Sequence, residues 1–487
     1  MTDQPADPIP AEPAGPAGLR HSLKQRHMTL IAIGGTIGAG LFVGSGVVIH
    51  QTGPAVIISF VLAGMLAVLV MRMLGEMAVA RPAVGSFYEY ARLALGHWGG
   101  FTIGWLYWYF WVIVIAVEST AGAAILHNWI PAVPVWVLSL GLMVLMTLTN
   151  LASVRSYGEF EYWFSSIKVA AICVFIVIGV IFIVGLWPGS HLSLANLTSH
   201  GGFAPHGLGT MASGVVPAIA FFVGAEIATI AAAESREPSR SVARATNSVV
   251  LRVLLFYVGS IFVVVTISPW NSTSVLNSPY VSVLHLVGIP VAGTIMEAIV
   301  LTAVLSSLNS GLYTTSRIMF ALTSRGDAPG GLTKLSRRGV PARAILLGTV
   351  LGYLSAIMSY VSPNAVFSFL INSYGAVALF VYLLIAISQL RLRARLQRES
   401  PGDLQLKMWG YPYLSWLTIG GMLAVIAAMG FISSTRTEFL ISLLTLAIVL
   451  AACFLRQRHQ TAGTRPELAP AAVQADDGAP EPRAPGR

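Results

Sequence analysis

Apolar residues run through this chain in long blocks separated by short polar punctuation. Stretches such as Val56–Val70 and Ala170–Val184 contain no charged side chain. They approach the roughly 20 residues a helix needs to cross a bilayer. Reading the blocks in order predicts twelve transmembrane helices. The first six are expected over 28–49, 54–78, 99–128, 133–151, 160–185 and 208–232. The second six are expected over 247–268, 289–317, 343–361, 366–390, 411–432 and 436–456. The ends, 1–19 and 457–487, are rich in Pro, Ala and Gly and read as disordered tails.

Composition agrees with that pattern. The 487 residues are 55% hydrophobic and 10% charged, too few charges to clothe a soluble protein of this size, since soluble domains carry about 25%. The placement of the basic residues then orients the chain. Segments 127–134, 186–207, 269–290 and 361–365 contain no Lys or Arg. Of the 29 basic residues, 27 fall on the opposite face, leaving Lys168 within a span and Arg436 on the arginine-poor side. The positive-inside rule therefore puts both termini in the cytoplasm of a multi-pass protein of the cell inner membrane. The net charge of +9 follows from this topology, and makes anionic lipid a natural neighbour. Nucleic acid is not needed to explain it. Cys173 and Cys453 lie far apart in apolar stretches, so neither a disulfide nor a zinc site is expected. The first 18 residues lack the apolar core of a cleavable signal peptide.

Two helices carry sequences that disfavour an unbroken helix. Residues Gly34, Gly35, Thr36, Ile37, Gly38, Ala39 and Gly40 place four glycines in seven positions of the first span. Each costs about 1 kcal/mol relative to alanine in a helix. The spacing Gly34-x-x-x-Gly38 also suits close helix packing. The alternative is unwound backbone whose free amides meet an anionic substrate group. The sixth span contains Pro217 and then Phe221, Phe222, Gly224 and Glu226. Spans 1 and 6 each open a set of five, and paired interruptions at corresponding positions point to a transporter binding site.

Ionisable groups inside a span are functional candidates by default. Lys168 sits about eight residues into the fifth span, roughly 12 Å deep, where a partly desolvated amine could release and recover a proton during transport. Glu118 in the third span is either a packed neutral acid, a partner for a substrate ammonium or a second proton carrier. Glu226, at the second break, is a candidate proton-sensitive gate. Glu297, near the end of span 8, reads as solvated. Span 8 also carries Ser306, Ser307, Asn309 and Ser310. Phe221 and Phe222 either cap the substrate or pack. The cluster Trp105, Tyr107, Trp108, Tyr109, Phe110 and Trp111 reads as an interfacial aromatic belt.

Several segments resemble bacterial amino-acid permeases of the amino acid–polyamine–organocation superfamily. They are Leu23–Met28 followed by Gly34–Gly40, Met71–Met77, Gly85-Ser86-Phe87, Tyr157–Glu161, Glu234-Ser235 and Arg325–Pro329. Within that group Gly104–Trp108, Ala231–Glu234, Arg244–Ser248 and Leu308–Ser310 are similar to permeases of 4-aminobutyrate (GABA). The resemblance implies an all-α fold of two inverted five-helix repeats, spans 1–5 and 6–10, followed by two further helices. It implies proton-coupled import of a small zwitterion, with GABA first and neutral α-amino acids second. It also places Lys168 where related permeases use a lysine, bridging helices 1 and 8, in place of a coupling sodium ion. No cofactor is implied. A P-loop, a Ser/His/Asp set and a histidine-rich metal cluster are absent from the sequence, so ATP drive and enzymatic function are not expected. A non-transporting amino-acid sensor is the remaining reading.

Overall fold

The computed structural model describes residues 37–81, 87–152, 157–226, 238–334, 336 and 340–463. The sequence readings of Gly34, Gly35, Thr36, the tail 1–19 and residues 464–487 lie outside the described residues. All regular structure among the described residues is helical.

A π-helical turn, Gly40–Gly44, leads into α1 (Ser45–Thr52), and α2 (Val56–Ala80) follows after Gly53-Pro54. A short helix α3 (Phe87–Leu95) precedes α4 (His97–Trp129), α5 (Val135–Ala152) and α6 (Tyr157–Ile183). Next come α7 (Thr210–Ala220) and α8 (Pro238–Arg252), which passes through a π-helical turn, Val253–Gly259, into α9 (Ser260–Ile267). Two small helices, α10 (Thr273–Asn277) and α11 (Pro279–Leu286), lead to α12 (Pro290–Ser324). The chain ends in α13 (Ala342–Met358), α14 (Pro363–Glu399), α15 (Tyr413–Phe431) and α16 (Arg436–Gly463).

Among the described residues seven helical stretches are long and apolar enough to cross a membrane, and the first, Gly40–Ala80, joins two expected spans. Four shorter apolar helices lie where spans 4, 6, 7 and 9 are expected. The solvent of this fold is legible on its outside. Val174 and Val177 on α6 are each 57% exposed, and Ile448 on α16 is 60% exposed. Aliphatic surface on that scale needs lipid cover, as a multi-pass membrane protein provides.

Several boundaries differ from the sequence reading. Helix α16 continues to Gly463, so residues 457–463 are helical rather than tail; Gln457 and Arg458 are good helix formers. Helix α8 starts at Pro238, whose fixed φ suits a first turn. The segment between spans 7 and 8 is not simple loop, because Ser272 accepts a bond from the Ser274 amide and caps α10.

Inside, α4 is the axial helix, packed by α5, α12, α13 and α14, while α7 is wedged between α2 and α14. That wedge depends on a glycine: a Cβ on Gly375 of α14 would run into the backbone carbonyl of Val216 in α7. The expected breaks sit beside each other in this core.

Candidate functional site

The first break is held by a carboxylate from another helix. Both oxygens of Glu118, on α4, lie 3.1 Å from the Ala39 backbone nitrogen. They accept the N–H that a helical turn would otherwise direct at a carbonyl. Glycine permits the approach, because a Cβ on Gly38 would collide with Glu118 and stand 2.5 Å from the Ser307 hydroxyl. Next to Ser307, Ser306 accepts a bond of 2.9 Å from the Lys168 ammonium. Lys168 is fully buried, and its charge acts on Glu118. Break 1, α4, α6 and α12 thus meet in one polar cluster of Gly38, Ala39, Glu118, Lys168, Ser306 and Ser307. Ile37 is buried beside it. Asn309 lies outside this cluster, accepting a 2.7 Å bond from Asn150 on α5.

The second break follows α7. Pro217 lacks the N–H that would close the helix onto residue 213, and Phe221–Gly224 form a turn rather than a helix. The turn is held by bonds of 3.1–3.3 Å from residues 221, 222, 223 and 225 to carbonyls three residues back. Gly224 has φ +108°, a conformation that side-chain-bearing residues rarely adopt. Glu226 folds back to cap this turn, accepting 2.9 Å from the Gly224 amide. It also accepts 2.6 Å from the Tyr107 hydroxyl and 3.5 Å from that of Tyr382.

Phe221 joins the two breaks. A Cβ on Gly40 would lie 2.6 Å from the Phe221 ring and 3.0 Å from the Tyr374 hydroxyl. The ring stands 5.9 Å from Phe60 and 6.1 Å from Tyr374, which stacks on Phe110 at 5.4 Å. The Phe221 carbonyl is occupied by the Tyr257 hydroxyl at 2.9 Å. Phe222 instead faces Tyr257, ring centroids 4.5 Å apart, so the two phenylalanines differ in role.

The aromatic cluster of α4 corrects the belt reading. Tyr107, Phe110 and Trp111 are buried in the protein core, and Tyr107 holds Glu226. Sequence reasoning missed Tyr107, Tyr257, Tyr374 and Tyr382 as parts of the site.

Access differs between the ends. At the arginine-poor end, a cavity of about 540 Å³ adjoins one of about 310 Å³ that reaches Val43 and Thr120. These residues lie one turn beyond Ala39 and two residues beyond Glu118. The arginine-rich end is pinned by ionic contacts. Asp327 pairs with Arg92 and accepts from His97 at 2.9 Å, Arg325 pairs with Glu89, and Glu76 pairs with Arg393. The glutamine Gln389 adds a 2.8 Å bond to Glu76.

A chain whose polar groups gather where the two expected breaks meet matches one family model, "Amino acid permease", over residues 27–462. The chain belongs to the amino acid permease family. This permease is 53% identical to a gamma-aminobutyric acid permease of Bacillus subtilis, over 89% of this chain and 93% of that one. It is 48% identical to a gamma-aminobutyric acid permease of Escherichia coli, over 87% and 91% of the two chains. The aromatic amino acid transport protein AroP of Corynebacterium glutamicum is 40% identical, over 86% and 92%. Among solved structures, a manganese transporter mutant of Eremococcus coleocola matches with TM-score 0.54 at 13% identity, covering 90% of this permease and 94% of that chain. At that identity the likeness is one of fold. The expectation of an amino-acid transporter rather than an enzyme holds.

Proposed function

We propose that this permease imports GABA together with protons across the cytoplasmic membrane, with its arginine-rich end and both termini inside. The observation that carries this reading is the meeting of the two breaks at Gly40 and Phe221, flanked by Glu118 and Lys168. Relatives about half identical that are named as GABA permeases support the substrate.

In this reading the substrate carboxylate binds the amides freed in Gly34–Gly40, favoured by the positive end of the half-helix. Glu118 accepts from the Ala39 amide. An incoming carboxylate would displace it, and a proton arriving on Glu118 removes the repulsion between the two acids. Lys168, tied to Ser306, exchanges a proton as the site changes access. The substrate ammonium binds beside the second break, under Phe221. Glu226, with Tyr107 and Tyr382, forms the gate on the cytoplasmic side. The moving units are the two five-helix repeats, about 28–185 and 208–390, with the helices of about 411–456 outside them.

The 40% identity to an aromatic amino acid transporter favours α-amino acids as the second reading. Uptake of labelled GABA into proteoliposomes, with and without an inward proton gradient and with competing amino acids, tests both. Accumulation against a concentration gradient only when protons flow inward is expected. Binding without accumulation would overturn symport and favour a sensor.

A further inference from the structure

We propose that the cavity at the arginine-poor end is a second, outer binding site for the substrate, in which Glu297 holds the ammonium group. This rests on the amino-acid import reading, which makes that end the side of entry.

The cavity, about 540 Å³, has room for a small zwitterion with water around it. Its polar lining is mostly neutral: Ser268, Ser272, Ser282 and Asn277 supply hydroxyls and an amide. Glu297 is the exception. One of its oxygens accepts from the Trp129 indole at 2.7 Å and the other from Asn128 at 3.3 Å. Both donors are neutral, so they fix the carboxylate without cancelling its charge. No basic side chain pairs with it among the described residues. A positioned anion in a cleft of neutral groups attracts a cation and raises its local concentration.

His285 adds an imidazole to the same lining. Its Nε2 lies 2.8 Å from where a Cβ on Gly293 would stand, so the ring rests against α12 at that point. Gly293 precedes Glu297 by four residues, one turn along the same helix face. Gly293 and Glu297 are therefore offset by about 6 Å along the axis.

The outer site also leads inward. Asn128, Asn277 and Ser278 line both this cavity and the 310 Å³ cavity that ends at Val43 and Thr120. A molecule released from Glu297 thus has a path toward the Glu118–Ala39 contact.

Three proteins distinguish this site from a structural contact: wild type, Glu297→Gln and Glu297→Asp. Glutamine keeps an acceptor for Trp129 while removing the charge. In initial-rate uptake of labelled GABA at low ionic strength, Glu297→Gln is expected to raise KM about three- to ten-fold. The turnover number stays unchanged, and the difference shrinks at high salt, where the attraction is screened. Glu297→Asp is expected to recover most of the wild-type KM. Equilibrium binding should resolve two GABA sites per chain in wild type, one of them weakened about three- to ten-fold in Glu297→Gln. An unchanged KM, a single GABA site in wild type, or a KM rise that persists equally at high salt overturns the outer site. If wild type takes up no GABA, the GABA reading fails separately. The same comparison with the amino acid that wild type does accumulate then decides the outer site.

Discussion

The carboxylate of Glu118 and the backbone amide of Ala39 face each other with both oxygens 3.1 Å from one nitrogen. The contact joins α4 to the break of the first span where bilayer surrounds the protein, so water cannot replace either partner. Glu118→Gln preserves an acceptor for the amide but cannot carry a proton. Gradient-driven accumulation of GABA should fall about ten-fold or more, the scale of a lost general acid–base group, while exchange across equal gradients persists. Glu118→Ala orphans the amide at a cost of about 1–3 kcal/mol, so it should melt at lower temperature in detergent than Glu118→Gln. Wild-type accumulation in Glu118→Gln would exclude this acid from coupling.

Lys168 is fully buried and donates to Ser306 across the α6–α12 contact. Removing it leaves a serine hydroxyl that can turn to its own helix backbone. Lys168→Ala should therefore fold, bind substrate and exchange it, yet fail to accumulate it under an inward proton gradient. Gradient-driven accumulation at the wild-type level would remove Lys168 from the mechanism.

Tyr107 donates the 2.6 Å bond to Glu226, while Tyr382 reaches the other oxygen at 3.5 Å. The shorter bond is the stronger of the two, and bonds to charged groups contribute about 1.5–3 kcal/mol. Tyr107→Phe should loosen the gate more than Tyr382→Phe. Faster downhill efflux of preloaded GABA, with a lower accumulation ratio, is the expected result. Equal efflux from both variants and wild type would mean that Glu226 closes nothing.

Much of this molecule is legible from its residues, and the limit has a physical cause. The spans could be read because a bilayer demands apolar length, and the second break because Pro217 and Gly224 each oppose a continuous helix. Lys168, Glu118 and Glu226 stood out because charge is rare in such runs. The tyrosines did not. An apolar helix in lipid has no polar face to set its phase, so Tyr107 looks alike whether it meets headgroups or Glu226. The same loss of phase hid Tyr257, Tyr374 and Tyr382. The small helices α10 and α11 were marked by Ser272 and by Pro279, the first residue of α11, signals outweighed by the polar composition around them. The partners of the outer carboxylate Glu297, Asn128 and Trp129, lie about 170 residues away in sequence and so left no local signal.

Glycine substitutions separate packing against side chains from packing against backbone. A methyl group on Gly40 would press on the Phe221 ring at 2.6 Å and the Tyr374 hydroxyl at 3.0 Å. Both belong to a packed aromatic group, but side chains can shift. Gly40→Ala should cost about 1–3 kcal/mol, still fold, and lose most GABA uptake because Phe221 is pushed out of the junction. On Gly375 the methyl would meet the Val216 carbonyl and sit 2.9 Å from the Pro217 nitrogen, both backbone atoms of α7. Backbone cannot rotate aside, so Gly375→Ala should melt at the lowest temperature and yield the least folded protein. On Gly141 of α5 the methyl has nothing within 4 Å, and replacing glycine there should gain up to about 1 kcal/mol from helix propensity. Size-exclusion melting curves and uptake on the three variants check the order. If Gly40→Ala matched Gly141→Ala in uptake, the contact between the two breaks would have no part in transport.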